Sequence, residues 1–431
     1  MKTKAAEGEK IAILGGGIAG LSLGWLLSKT GRRVSLFEAA GQTGGLARTF
    51  RWHDIPCDIA PHRLYTHDKE LIALIRSLTP MRRHQRNSRI LMKGRVLKDP
   101  VSPLELMLKF PPSTGYRLVA GFLSQSKLPE TSFEALAINR YGRGLYDFFF
   151  EPYTKKLFGV SPKEVSVTWG REKLRSSGLA DVFKRRSKTF FNTFYYPVQN
   201  GYGTIARAME ERIRGEIQLN ATVTRLQYAN GRVQAVEYEQ NGKTHLYECD
   251  RVFSTIPITT LGKMFGHDSK LRFRGVQLVF VHVKKPQVMP YHWVYFGDGD
   301  LAINRMAEFR NFYDHLPDAR GTVICAEVTS QTSRPVEEVL SGLVRYQLLK
   351  EEEVDDTLVV QERFGYPVYD RGFEDARTEV LDIFEQYSNL HLVGRNAEFR
   401  HIEMDEVLGS ALHQIRKVYP GALHLPELSV V

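Results

Sequence analysis

Lys10–Glu38 reads KIAILGGGIAGLSLGWLLSKTGRRVSLFE, and the fold follows from this stretch. Residues 10–14 are a short apolar run ending in glycine, the pattern of a parallel strand buried on both faces. Residues 18–30 carry a helical pattern closed by Gly31, and residues 33–38 give a second strand. The unit is β-α-β, the common way to join two parallel strands. Gly15, Gly17 and Gly20 fall at the strand-to-helix turn with the spacing G-x-G-x-x-G. Such glycines permit a tight turn, approach of the backbone to a pyrophosphate, and close packing of helix on strand. Ile18 and Ala19 open the helix, whose free N–H groups suit phosphate. Glu38 ends the second strand 18 residues after Gly20. A carboxylate there can accept hydrogen bonds from both hydroxyls of an adenosine ribose. The glycine spacing alone is weak; with strand, helix, strand and acid in register it specifies a dinucleotide site.

The remainder of the chain must be consistent with that unit. Its 431 residues are 42% hydrophobic and 25% charged, which excludes disorder, collagen and coiled coil as global readings. The length allows two or three domains. Fifty-nine basic against 49 acidic residues leave a net charge of +10. That favours phosphates, nucleotides or acidic lipid, and does not by itself indicate nucleic acid. Cys57, Cys249 and Cys325 are widely spaced with no C-x-x-C. We expect three buried thiols in a reducing, cytoplasmic compartment, with neither a metal site nor a disulfide framework. No apolar run is long enough to span a bilayer. Lys2, Lys4 and Lys10 before the apolar residues 11–27 imitate a signal peptide, but the glycines there belong to the dinucleotide turn.

Further along, residues 68–78 read as a helix and residues 89–98 as a hairpin turning near Lys93-Gly94. Residues 99–150 are punctuated by Pro100, Pro103, Pro111 and Pro112, with a helical pattern around 133–150. Residues 217–253 read as three strands, with Asn230-Gly231 and Asn241-Gly242 at the turns. Further strands are expected at 275–285, 322–329 and 390–393, then a helix from about 405 to 418. No repeat or linker is visible, so the domains are expected to interleave.

Gly44-Gly45-Leu46-Ala47-Arg48 follows the ribose-binding acid. A nicotinamide domain needs no second glycine pair there, but a pyrophosphate running on towards a flavin would use one. The arrangement resembles the superfamily of amine oxidases, protoporphyrinogen oxidases, phytoene desaturases and UDP-galactopyranose mutase. The resemblance implies FAD, with Arg48 near its phosphates. It extends to Val223, where the family pairs a backbone group with adenine, and to Ser254-Thr255-Ile256-Pro257. Asp58-Ile59-Ala60-Pro61-His62 resembles the segment passing the isoalloxazine, which implies contacts from Pro61 and His62. Residues 390–407, LHLVGRNAEFRHIEMDEV, resemble the second flavin motif. By that likeness Gly394 and Arg395 approach the pyrophosphate, and Met404 and Asp405 begin a helix aimed at the flavin pyrimidine. A positive helix end there stabilises charge on a reduced flavin.

Three segments resemble the mutase branch: residues 149–165, with Phe158 where the mutases carry tryptophan; residues 304–312, where Arg305 matches a diphosphate-binding arginine; and residues 364–370, where Tyr366 matches a phosphate-contacting tyrosine. The Phe399-Arg400 pair also looks mutase-like, and His62, Arg305, Tyr366 and Arg400 form the candidate catalytic set. A further phosphate ligand is left open between Arg185 and Arg186. Amine oxidases carry a lysine near flavin N5 where alignment here puts Leu278.

The expected fold is α/β (α+β overall). A Rossmann-like FAD domain (residues 1–70, 195–260 and 385–431) interleaves with a mixed-sheet and helical substrate domain (71–194 and 261–384). The first functional expectation is an oxidoreductase of the protoporphyrinogen-oxidase or amine-oxidase type, passing hydride from an organic substrate to flavin N5. The alternative is a redox-neutral mutase acting on a sugar nucleotide, and a non-catalytic FAD scaffold ranks last. The substrate is expected to be a small molecule, anionic or lipophilic, and the protein a monomer or homodimer. Residues 82–98 hold seven bases and no acid, residues 184–188 four more bases. Residues 104–124 alternate apolar clusters with lysine and arginine, a pattern compatible with peripheral membrane contact.

Overall fold

The computed structural model describes residues 8–99, 101, 103–123, 127–173, 192–314, 316, 320–329 and 331–423. Arg185, Arg186 and the rest of the second basic run lie outside them.

The β-α-β unit forms as read: strand Ile11–Leu14, helix Ile18–Lys29, strand Val34–Phe37. Both strands are fully buried, which requires cover on both faces of their sheet. That sheet has five parallel strands, in the order 390–392, 251–254, 11–14, 34–37, 215–218. On one face the helix Ile18–Lys29 is pressed between the sheet and two more helices, Gly203–Glu210 and Met404–Val418, through Leu23, Leu26, Met209 and Leu408. On the other lies an antiparallel three-stranded sheet, Thr222–Ala229, Arg232–Gln240 and Lys243–Glu248. Phe37 reaches across to Tyr238 and Tyr247, with ring centroids 4.8 and 5.4 Å away.

Residues 217–253 therefore hold more strands than the three expected. The first run breaks at Asn220, whose positive φ of 54° turns the chain, so that 215–218 and 222–229 enter different sheets. The last breaks at Cys249-Asp250, and Arg251–Ser254 rejoins the parallel sheet. Both Asn-Gly turns are where expected, with positive φ at all four residues.

The second large sheet is mixed and seven-stranded. Its order is 354–367, 273–283, 322–328, 303–308, 293–296, 88–92, 95–98, antiparallel except between 293–296 and 88–92. Residues 99–150 form separate helices, Pro103–Lys109 and Pro112–Leu123, broken at the proline pair, then Phe133–Leu145, kinked at Gly142. Cys57, Cys249 and Cys325 are free and buried, as expected.

Candidate active site

The glycine turn is shaped for an anion. Gly15 sits at φ +98°, and a methyl there would lie 2.6 Å from Thr255 Oγ1. A methyl on Gly20 would overlap the carbonyl oxygen of Gly15. Gly17 caps the helix without a side-chain bond, which leaves the N–H groups of Ile18, Ala19 and Gly20 without partners inside the helix. The second glycine pair packs back onto the first. Gly44 N–H donates to Gly16 O at 2.8 Å, and a methyl on Gly45 would come within 3.0 Å of Gly17 Cα. Leu46 and Ala47 complete one short helical turn after it. Gly394, from the far end of the chain, sits at φ +94°, where a methyl would lie 2.6 Å from Ala19 Cβ. The two glycine motifs thus meet.

Glu38 stands beside this turn and accepts from Gly16 N–H at 2.6 Å and Ala40 N–H at 2.9 Å. Arg48 donates to the Glu362 carboxylate, with both side chains mostly buried. Its guanidinium is thus engaged by an acid on the longest strand of the second sheet. Val223 lines a cleft of about 680 Å3 together with Thr259, Lys263 and Arg363. The helix opening at Met404 and Asp405 already carries carboxylates at its start: Glu403 caps it and Glu406 reaches back to Glu403 N–H at 2.9 Å. The positive end expected there is therefore partly balanced.

The Ser254 hydroxyl, Tyr202 hydroxyl, Asn396 Oδ1 and Arg395 Nε are buried without hydrogen-bond partners. Orphaned polar atoms of this kind are rare unless a ligand satisfies them. The glycine cradle, the uncapped helix and these four atoms fit a large polar dinucleotide of the FAD kind.

Beyond the cradle, sheet register builds a second cluster. Tyr295 is the cross-strand partner of Arg305, and Arg305 of Glu327, so the three side chains share one face in a single row. Arg305 Nη2 donates to Glu327 Oε2 at 2.7 Å, and the Tyr366 hydroxyl donates to Glu327 Oε1 at 2.6 Å. Burial alone would lower the Arg305 pKa, but Glu327, Tyr366 and Tyr295 around it hold it raised. Burial, then Glu327, pushes the Tyr366 hydroxyl well up. Tyr153, on the helix Glu151–Phe158, sits in the field of Tyr295, Glu327 and Arg305.

His62 joins them from a loop turned by Ala60, which adopts φ +67°. Its Nδ1 lies 3.0 Å from Ala60 O, and its ring stacks on Tyr202 with centroids 5.2 Å apart. Burial, then Arg305, lowers its pKa to about 4, so the imidazole is neutral near pH 7. Arg63 follows, with its guanidinium 4.3 Å from the Trp293 ring and Nη2 3.3 Å from the Tyr295 hydroxyl. Arg305, Arg63 and Arg395 thus share this region with Glu327 and Glu403.

Arg400 is not brought into this cluster: its side chain is half exposed and pairs with Glu398 at 3.1 Å. Phe158 packs edge-on to Trp169 in the core. Leu278, opposite Glu327 in register, lies in an apolar cluster with Ile55 and Ile59. Sequence reasoning missed Glu327, although an acid within the apolar strand TVICAEV demands a partner. It also missed Arg63, which carried no pattern of its own.

Acid stability follows from the buried groups. His62, His84, His292 and His391 are each lowered to about 4 by burial, and Asp58 and Asp405 raised to about 6 by burial. As pH falls from 6.5 towards 4, the unfolded chain protonates four histidines that the folded chain keeps neutral. Over much of the same window the folded chain protonates two aspartates ahead of the unfolded one. Four outweigh two, so Tm is expected to fall on acidification across that window. A calorimetric Tm that rises instead would contradict this balance.

A profile of the flavin containing amine oxidoreductases matches residues 18–418. The dTDP-fucopyranose mutase of Escherichia coli is 22% identical over 419 residues, covering 94% of this chain and 96% of that protein. Protoporphyrinogen oxidase 2 of Arabidopsis thaliana is 24% identical over 179 residues, only 38% of this chain and 35% of that one. Among solved structures, reduced UDP-galactopyranose mutase superposes with a TM-score of 0.82 at 19% identity, covering 95% of both chains.

Proposed function

Since the chain belongs to the flavin containing amine oxidoreductase family, we propose that it is an FAD enzyme of the mutase type, interconverting ring forms of a nucleoside-diphosphate sugar without net redox change. The observation that carries this reading is the buried Arg305, held charged on Glu327 beside Tyr366, with the Arg63 guanidinium in the same field. A nucleoside diphosphate is the kind of small anion such guanidiniums would select. Sequence likeness to a curated mutase along nearly the whole chain supports it, where the curated protoporphyrinogen oxidase matches 38% of the chain.

In this reading residues 1–70, 195–260 and 385–431 hold the dinucleotide, and 71–194 and 261–384 the substrate. Gly15, Gly17, Gly20, Glu38, Gly44, Gly45 and Gly394 cradle the cofactor. Reduced flavin would supply a nucleophile to the anomeric carbon, and it ends turnover unchanged. Arg305 and Arg63 hold the diphosphate as it departs and returns. Glu327 fixes the Arg305 fork and the Tyr366 hydroxyl in place. His62, neutral near pH 7, adds no cation that would compete for the phosphates.

The test is the visible spectrum of the purified flavoprotein during titration with dTDP and with UDP. A saturable perturbation by either is expected. Bands indifferent to both, with oxygen consumed on an oxidisable organic substrate, would restore hydride transfer as the reaction.

A further inference from the structure

The helices Pro103–Lys109 and Pro112–Leu123 each carry two apolar faces. The inner faces, through Leu106, Phe110 and Leu118, pack on the hairpin strands Ser88–Met92 and Arg95–Lys98. Among the described residues the outer faces have no such partner. Leu104, Met107 and Leu108 fall at i, i+3 and i+4, and Tyr116, Val119 and Leu123 at i, i+3 and i+7, so each set forms one stripe. Leu108 is 77% exposed, Leu123 76% and Tyr116 75%. Scattered exposed apolar residues need no explanation, whereas two adjoining stripes mark an interaction surface.

Charge selects the occupant. Between residues 103 and 128 the only acid is Glu105, while Lys109, Arg117 and Lys127 are basic. Glu105 is already occupied, accepting from Lys98 N–H at 3.0 Å and Lys109 Nζ at 2.7 Å. Lys109 Nζ also donates to Val96 O, which sets the hairpin strand beside the first helix. The segment that carries the stripes is net basic, and the hairpin it packs on adds Lys93, Arg95 and Lys98, from a stretch of 17 residues (82–98) without an acid. A second copy would bring like charges together, whereas anionic headgroups would complement them.

The second helix is closely seated. A methyl on Gly121 would lie 2.5 Å from Gly144 N, and one on Gly142 2.6 Å from Gly121 O. The second helix thus rests backbone against backbone on Phe133–Leu145, and no reordering is needed to present its outer face. Among the described residues no helix is long and apolar enough to cross a membrane, so contact would be in the interfacial plane.

We propose that the outer faces of these two helices dock the enzyme on an anionic bilayer surface. The test is flotation of the full-length FAD-loaded protein with phosphatidylcholine vesicles, with and without phosphatidylglycerol. Co-flotation is expected with the anionic vesicles and should weaken as salt is raised. The variant Leu104→Ser/Leu108→Ser/Leu123→Ser should keep its flavin and Tm and lose vesicle affinity about ten-fold or more. Failure of the native protein to float, or equal flotation of the variant, would overturn the proposal. So would a lipid-free dimer that the same three substitutions dissociate, since the face would then belong to a second copy.

Discussion

Arg305→Ala is expected to weaken binding of a nucleoside diphosphate on the order of 10²–10³-fold, because truncating one partner of a buried hydrogen-bonded charge pair costs several kcal/mol. Two losses combine. The diphosphate loses a guanidinium held in place on Glu327, and Glu327, with a side chain only 3% exposed, loses its cation. An uncompensated buried carboxylate destabilises by about 3–5 kcal/mol, so Tm should fall as well. Glu327→Gln in the same background separates the two. It removes the stranded charge and should recover much of the Tm while leaving affinity low. Arg305→Lys keeps the charge but not the planar fork and should fall between wild type and Arg305→Ala in affinity. Flavin absorbance during nucleotide titration reads the first effect and thermal denaturation the second. Unchanged affinity in Arg305→Ala would remove Arg305 from the substrate site.

The second large effect is expected at Gly20. A helical Gly→Ala change ordinarily stabilises by about 1 kcal/mol. Here the new methyl would overlap the Gly15 carbonyl oxygen, a backbone atom of the turn itself. Gly20→Ala should therefore reverse the usual sign and distort the phosphate cradle, giving colourless protein that added FAD does not restore. Gly24→Ala, four residues on in the same helix, is the internal control. Its methyl would meet the end of the Ile213 side chain at 2.8 Å, which can shift, and the flavin should be retained. The ratio of visible to ultraviolet absorbance decides both, and a fully yellow Gly20→Ala would show that the turn tolerates a methyl.

These two sites differ in how plainly the sequence announces them. The glycine turn is local: strand, turn and helix lie within 29 residues, and each glycine answers a steric demand set by near neighbours or by the turn itself. The Arg305 cluster is assembled by register between strands, and register follows from packing that no short window contains. Arg305 and Tyr366 are legible by resemblance; their common partner Glu327 belongs to no motif of the sequence. Arg400 was expected beside them, yet the chain carries it outward to Glu398. Asn220 shows the same limit in the fold. Residues 218–228 read as one continuous strand until a single left-handed residue divides them between two sheets. The apolar outer faces of residues 103–123 were visible only as composition, because the inner and outer stripes of a short helix cannot be told apart without what packs beneath them.

The parallel sheet has a consequence for synthesis. Ile11 pairs on one side with Val34, which leaves the ribosome soon after it, and on the other with Arg251, 240 positions later. At cellular elongation rates that interval is on the order of tens of seconds. Throughout it, the nascent chain presents the open edge of its most apolar strand. The outermost strand Leu390–Leu392, and the helix Met404–Val418 that clasps Ile18–Lys29, come later still. The Gly394 wall of the cradle is translated with them, so the cradle is incomplete until that segment has emerged. Until then the open strand edge is the segment a chaperone would have to shield.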